Sequence, residues 1–116
     1  MCVPLSSLAS CILEAAAHVA GLPFPSTIVG HVGDGNFHML MVIDPTNPTE
    51  IELAHGANSR IVSKALAAGG TCTGEHGIGA GKRHFLRQEA GDAVEVMPVI
   101  KRALDPLGIM NPGKIL

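Results

Sequence analysis

The most constraining feature of this sequence is a glycine-rich run at residues 69–81, GGTCTGEHGIGAG. Six of its thirteen residues are glycine, and glycine weakens both helices and strands because it loses more backbone freedom on folding than any other residue. The run is therefore predicted to be irregular. It separates a first part that mixes strand and helix patterns from a last part that is predicted to be helical.

The residues before this run predict short strands and two helices. MCVPL is a short apolar strand candidate, and the helix that follows is expected to end at Gly21. STIVGHV and NFHMLMVI are β-rich runs joined by a GDGN turn. A second helix is expected to begin with Asn47 as its cap, Pro48 in the first helical position and Glu50 in the third.

The last part of the chain predicts helices and an irregular tail. Residues 82–90 have a helical pattern, and a last helix over residues 92–104 should break or kink at Pro98. The element order predicts the α+β class and resembles part of a ferredoxin-like split βαβ unit, an antiparallel sheet with helices. Strands needed to complete that sheet are lacking, so the chain is expected to be a fragment of a larger domain.

Composition narrows the kinds of partner. The chain has 116 residues, the size of one domain, with 47% hydrophobic and 16% charged residues and a net charge of −2. Without a basic block nothing suits a nucleic-acid backbone, and three phenylalanines are too few for base stacking. The apolar excess predicts either a surface that faces a partner, such as a homo-oligomer, or a piece of something larger.

The cysteines and the hydropathy give the expected location. Cys2, Cys11 and Cys72 are widely spaced without a CxxC motif, which favours buried thiols in a reducing compartment. No stretch of 18 apolar residues occurs, so no transmembrane segment is predicted. We expect a cytoplasmic protein, and the family resemblance given below implies peripheral association with the inner membrane as the alternative.

The stretch GHVGDGNFHM carries two histidines around an Asp-Gly pair, the strongest short hairpin signal. A two-residue turn at Asp34-Gly35 would pair His31 directly with His38. Directly opposed side chains lie about 4.5–5.5 Å apart on one side of a sheet, so the two imidazoles could share one metal ion. The alternative is a pair of hydrogen-bonded sheet histidines.

The stretch TGEHGIGAGK offers a carboxylate to complete such a site. Open zinc sites often use two histidines and one carboxylate, which makes Glu75 the best third ligand. His76 would then remain for proton transfer, since an imidazole titrates near neutral pH. The alternative is a flexible loop with a solvated Glu-His pair. Phosphate binding is excluded because neither G-x-x-x-x-G-K-[ST] nor G-x-G-x-x-G fits these glycines.

Three motifs in order, GHVGDGNFH, GGTCTGEHGIGAGKRHFL and IKRALDPLGIMNPGKIL, resemble the C-terminal part of FAD-linked 2-hydroxy-acid oxidoreductases. That family includes the cytochrome-type D-lactate dehydrogenases, the glycolate oxidase FAD subunit and D-2-hydroxyglutarate dehydrogenases. The resemblance covers nearly the whole chain. It implies that residues 1–116 are the C-terminal, substrate- and metal-binding part of such an enzyme, and that an N-terminal FAD-binding domain lies outside this sequence.

The resemblance also implies roles for particular residues. In similar enzymes a divalent metal, commonly Zn²⁺, is bound at the positions of His31, His38 and Glu75. The position of His76 is that of the base for the substrate hydroxyl. Asn36 would lie close to the substrate, and Asn111, in the NPGK segment, would approach the flavin.

The implied activity is the oxidation of a D-2-hydroxy acid, of the lactate, glycolate or 2-hydroxyglutarate type, to the 2-oxo acid. Metal-assisted hydride transfer to FAD would carry it out, and the electrons would pass to a quinone, a cytochrome or an electron-transfer flavoprotein. The chain alone is expected to be inactive, since nothing in it accepts the hydride.

Two other functions stay open at the level of sequence. The first is a metal-binding module without redox chemistry, such as a metal-dependent hydrolase or a storage protein. The second is a regulatory or dimerisation domain built on an α/β sheet, which would bind no metal at all.

Overall fold

Helices and one short sheet follow each other largely as the sequence pattern predicts. The structure, a computed structural model, describes residues 1–115. The chain divides into two compact units, one over Met1–Glu75 and one that begins at His76. Within the described residues there are four α-helices and a two-stranded antiparallel sheet, which confirms the predicted α+β class.

Helix α1, Leu5–Val19, supplies much of the core of the first unit. Its buried residues are Leu8, Cys11, Ala15 and Val19, and their spacing of three or four places them on one face of the helix. This face packs against helix α2 and strand β1. Apolar periodicity therefore defines which side of α1 is covered.

Helix α2, Pro48–Ala67, begins as predicted. The side chain of Asn47 accepts hydrogen bonds from the backbone N–H groups of Thr49 and Glu50, at 3.1 and 3.4 Å, and Pro48 occupies the first turn. These bonds satisfy N–H groups that have no partner within the helix. On the surface, the ammonium of Lys64 lies 2.6 Å from Glu14 on α1.

The sheet consists of β1, Ser26–Val29, and β2, His38–Met41, and its register differs from the prediction. His38 pairs with Val29 rather than with His31. The connection is longer than a two-residue turn: Val32–Asp34 form a 3₁₀ turn, and Gly35 follows with φ of 72°. The predicted His31–His38 pairing was therefore wrong.

The physical reason lies at the start of the chain. Gly35 accepts a hydrogen bond from the backbone N–H of Val3 at 2.9 Å, and Phe37 donates one to Met1 at 3.0 Å. The backbone groups next to the Asp-Gly pair are thus engaged by the N-terminal residues and not by β1. On the other side of this N-terminal segment, the carbonyl of Cys2 accepts a hydrogen bond from the N–H of Thr71 at 2.7 Å.

The N-terminal MCVPL segment is consequently not a full strand. It contributes isolated bridges that pair Cys2 with Asn36 and with Thr71. Residues 1–3 therefore lie between residues 35–37 and the start of the glycine-rich run. Together with the helices they enclose a core that includes Phe24, Phe37, Ile61, Val62, Ala65 and Cys72.

The second unit contains α3, Arg83–Ala90, a 3₁₀ segment, Gly91–Glu95, and α4, Met97–Leu104. The break predicted near Pro98 is confirmed, since this residue lies in the first turn of α4, where its missing N–H is tolerated. The tail after α4 folds around Asp105, whose carboxylate pairs with Lys101 and accepts the N–H groups of Ile109 and Met110 at 3.0 Å each.

Two further expectations concern thiols and membranes. Cys11 and Cys72 are buried and Cys2 is half-buried, and no disulfide joins any two of these three cysteines. Among residues 1–115, the structure contains no helix with the length and apolar character needed to cross a bilayer.

Candidate metal and substrate site

The structure brings two of the predicted site residues, His38 and Glu75, into contact. His38 begins β2, and Glu75 lies within the glycine-rich run, where it is the last residue of the first unit. The imidazole Nε2 of His38 lies 3.3 Å from the carboxylate Oε1 of Glu75. His38 is 23% exposed and Glu75 is 48% exposed at the side chain. Both side chains can therefore be reached by a small ligand.

Asn36 supports this pair from the protein interior. Its residue surface is 3% exposed, and its side-chain Nδ2 donates a hydrogen bond to the second carboxylate oxygen, Oε2, of Glu75. Its Oδ1 is buried and has no hydrogen-bond partner among the described residues. A buried acceptor without a donor costs about 1–3 kcal/mol, so the amide is held in this orientation at the expense of stability.

The glycine-rich run brings Glu75 to this position through a close backbone approach. Gly74 has φ of +60°, and a Cβ placed on it would lie 2.6 Å from Nδ2 of Asn36. The N–H of Gly74 donates to Oγ1 of Thr71 at 3.1 Å, which closes the turn just before Glu75. The glycine before the carboxylate thus makes room for the asparagine that holds it.

His31 lies on the same cavity as Glu75. The cavity has a volume of about 590 Å³ and is lined by Cys2, His31, Asp34, Asn36, Thr71, Gly74 and Glu75. His31 is exposed and precedes the 3₁₀ turn, and its carbonyl accepts the N–H groups of Asp34 and Asn36 at 2.9 and 3.2 Å. Within the described part of the first unit, its imidazole does not join His38 and Glu75 in a group of ligand atoms all within 4.8 Å of one another.

The other two predicted site residues belong to the second unit. His76 is its first residue and follows Glu75 directly in the chain, with an exposed side chain. Asn111 is exposed and has φ of 48°, the only positive φ of a residue other than glycine among residues 1–115. Asparagine is one of the few residues that adopt this conformation readily.

Sequence reasoning missed two contributors to the site. Thr71 anchors the glycine-rich run at both its backbone and its hydroxyl, and Cys2 forms part of the cavity wall. The Sγ of Cys2 also donates to the carbonyl of Asp34 at 3.2 Å. The contacts of Cys2 with Asp34 and with Thr71 join residues more than thirty positions apart, so no local pattern indicates them.

The donor set of the first unit fits a divalent metal ion. Imidazole nitrogen and carboxylate oxygen are ligands that Zn²⁺, Mn²⁺ and Fe²⁺ accept. The carboxylate of Glu75 is itself hydrogen-bonded by Asn36, as ligating carboxylates usually are. His38, Glu75 and the nearby His31 are therefore the residues of this unit that could hold such an ion.

Comparison with known proteins identifies the family to which the chain belongs. The family model "FAD linked oxidases, C-terminal domain" matches residues 1–115. A probable mitochondrial D-lactate dehydrogenase of Danio rerio is 50% identical over 117 residues, which cover 100% of this chain and 24% of that protein. The mitochondrial D-lactate dehydrogenase [cytochrome] of Arabidopsis thaliana is 43% identical, covering 100% of this chain and 21% of its own length.

A bacterial relative extends the range of names. The glycolate oxidase subunit GlcD of Bacillus subtilis is 36% identical over 114 residues, which cover 97% of this chain and 24% of that subunit. The chain thus spans about a fifth to a quarter of the length of the curated relatives it matches. With the family model matched from residue 1 to residue 115, the chain belongs to the family of FAD linked oxidase C-terminal domains.

Proposed function

We propose that this chain is the substrate- and metal-binding part of an FAD-linked dehydrogenase that oxidises a D-2-hydroxy acid to the 2-oxo acid. The family match and the names of the relatives, D-lactate dehydrogenase and glycolate oxidase, support the reaction class. The single structural observation that carries the proposal is the His38–Glu75 contact, held by buried Asn36 at the cavity that His31 also lines.

In this proposal His31, His38 and Glu75 are the metal ligands, with Zn²⁺ as the proposed ion. A bound divalent ion would act as a Lewis acid for the hydroxyl and carboxylate oxygens of the substrate. The carboxylate of Glu75 accepts the Asn36 hydrogen bond on one oxygen and lies beside His38 with the other. The protein thereby restricts the orientation of this carboxylate before any ligand arrives.

The remaining roles concern the proton and the hydride. His76 is proposed to take the hydroxyl proton, since a neutral imidazole is suited to this near pH 7. Asn36 lies at the cavity, close to the proposed substrate position. The hydrogen on C2 leaves with its electron pair, so that the alcohol becomes the carbonyl group of the 2-oxo acid. FAD supplies the acceptor for that hydride when bound, and Asn111 is the residue proposed to approach it.

The glycine-rich run matches neither of the two phosphate-binding glycine patterns. We therefore propose that FAD is held mainly by residues outside this sequence, and that the 116 residues alone do not oxidise the substrate. Reoxidation would use a quinone, a cytochrome or an electron-transfer flavoprotein; three relatives carry "cytochrome" in their names. The location at the cytoplasm or at the membrane periphery stays a prediction. Several relatives are named as mitochondrial proteins.

The test uses the FAD-loaded protein and two matched pairs of variants. His38→Ala and Glu75→Ala remove proposed ligands, whereas His55→Ala and Glu52→Ala remove the same side-chain types from exposed positions on α2. We expect the first pair to lose bound zinc, measured by elemental analysis, and to oxidise D-lactate or glycolate at least about 100-fold more slowly, because a catalytic metal supplies several kcal/mol. The control pair should keep both properties.

Two results would contradict the proposal in different ways. Full activity of His38→Ala and Glu75→Ala would show that the reaction does not need a metal at these residues. Zinc binding without oxidation of any 2-hydroxy acid, in protein that carries FAD, would instead favour a metal-binding module without redox activity.

A further inference from the structure

We infer that Asn36 is a positioning residue that acts on the metal site through the carboxylate of Glu75, and not by contact with the substrate. This inference rests on the proposed function, because it assumes that Glu75 is a metal ligand. The observation behind it is the hydrogen bond from Nδ2 of Asn36 to Oε2 of Glu75. Metal ligands commonly depend on such outer partners for orientation and affinity.

The direction of the Asn36 amide follows from the chemistry of its neighbour. A carboxylate accepts hydrogen bonds and donates none, so only the NH₂ end of the amide can face Glu75 favourably. Rotating the amide would bring two acceptor oxygens together. The other end, Oδ1, has no donor among the described residues. The asparagine therefore keeps an unsatisfied oxygen in order to present its NH₂ group to the carboxylate.

The burial of Asn36 argues against direct contact with a substrate. The residue is 3% exposed, and its Oδ1 is buried. A 2-hydroxy acid in the cavity would need an exposed donor or acceptor, and the amide oxygen does not offer one. The carboxylate of Glu75 is 48% exposed, so it is the group through which Asn36 can influence anything bound there.

Backbone contacts hold Asn36 and the turn that carries Glu75 in place relative to each other. The N–H of Asn36 donates to the carbonyl of His31 at 3.2 Å, and Asn36 forms a bridge with Cys2. Cys2 is also paired with Thr71, at the start of the turn that carries Glu75. The donor and the acceptor of the hydrogen bond are thus fixed to the same N-terminal segment.

The experiment measures zinc affinity by chelator competition and steady-state kinetics in the FAD-loaded protein. Asn36→Ala removes the donor, and Asn58→Ala is the control on α2. We expect Asn36→Ala to weaken zinc binding by about 10–100-fold and Asn58→Ala to change it less than about twofold. In a Glu75→Gln background, Asn36→Ala should have little further effect, because the carboxylate through which it acts is gone.

A second variant tests the same hydrogen bond if Asn36→Ala does not fold. Gly74→Ala would place a Cβ 2.6 Å from Nδ2 of Asn36, whereas Gly69→Ala has a similar positive φ, +77°, with nothing within 4 Å of the added carbon. Both variants carry the backbone strain, but only Gly74→Ala disturbs the amide. Weaker zinc binding in Gly74→Ala than in Gly69→Ala is the expected result.

The outcomes separate this inference from the proposed function. If wild type binds zinc and Glu75→Ala loses it, while Asn36→Ala binds zinc normally and only raises KM, Asn36 contacts substrate and the inference is wrong. Equal zinc affinity in the Gly74→Ala and Gly69→Ala variants would also overturn it. If wild type binds no zinc, the proposed metal site itself is wrong, and the positioning role fails with it.

Discussion

Gly35 provides the sharpest test of how the N-terminal segment shapes the site. It has φ of +72°, and a Cβ placed on it would lie 2.1 Å from the carbonyl oxygen of Val3. The same backbone stretch contains the 2.9 Å hydrogen bond from the N–H of Val3 to the carbonyl of Gly35. Gly35→Ala therefore combines a backbone conformation that alanine disfavours with a collision that alanine cannot avoid.

The magnitude follows from these two effects. An alanine in the left-handed region costs about 1–2 kcal/mol. Relieving the collision requires the segment to move away, which removes at least one backbone hydrogen bond worth about 0.5–1.5 kcal/mol. We expect Gly35→Ala to lower the free energy of unfolding by about 1.5–3.5 kcal/mol, the sum of these two costs. Gly69→Ala has φ of +77° but open space around the added carbon, so it should show only the first cost.

The assay is urea unfolding of the full chain, followed by circular dichroism, for wild type and both variants. The difference between Gly35→Ala and Gly69→Ala isolates the close contact with Val3, because the two positions share nearly the same φ. If the two variants lose the same stability within about 0.5 kcal/mol, residues 1–3 do not pack against the turn as described. The explanation given for the register of the sheet would then fail as well.

Three further predictions concern the cap, the tail and the core. Asn47→Ala should lower the free energy of unfolding by about 1 kcal/mol, measured in urea, because two N–H groups of α2 lose their acceptor; an unchanged midpoint would contradict the cap. The hydrogen bond from Lys101 holds the pKa of the Asp105 carboxyl below its ordinary value, so its stabilisation should be complete at neutral pH and disappear as the pH falls through that lowered pKa. The stability difference between wild type and Asp105→Asn should therefore shrink in acid, and a difference independent of pH would refute this role. Phe37→Ala should lower the free energy of unfolding by about 3–5 kcal/mol, measured by thermal or urea unfolding, because Phe37 is 1% exposed. A loss below about 1 kcal/mol would contradict this and show that the surrounding core closes over the space that the ring leaves.

The helices were predictable because their signals are local. Asn47 and Pro48 lie next to the N–H groups that need a cap, and Pro98 acts on the residues immediately before it. In α1, the buried residues recur every three or four positions, the spacing that places them on one face of a helix. None of these predictions depends on what the rest of the chain does, so tertiary contacts had little opportunity to override them.

The register of the sheet failed for the opposite reason. Asp34-Gly35 is a strong turn signal when the flanking residues are available to each other. Here the flanking backbone groups form hydrogen bonds with Met1 and Val3 instead. The sequence near the turn gives no indication of these competing hydrogen bonds, because their partners lie more than thirty residues away. The same distance concealed Thr71 and Cys2 as parts of the site, whereas the histidines and Glu75 were visible through their own chemistry.

His38 and Glu75 lie close together although the predicted register was wrong, and sheet geometry explains why. The predicted pairing joined residues whose numbers sum to 69, whereas the observed pairs, such as Val29 with His38, sum to 67. Side chains alternate between the two faces of a strand, so a slip of two residues keeps every side chain on its face, while a slip of one would have reversed them all. His38 consequently still points to the side on which Glu75 lies, 3.3 Å away. His31 lies outside the strands, directly before the 3₁₀ turn, and lines the cavity together with Glu75. The distance from its imidazole to His38 and Glu75 is therefore set by the conformation of the turn and not by the register of the sheet.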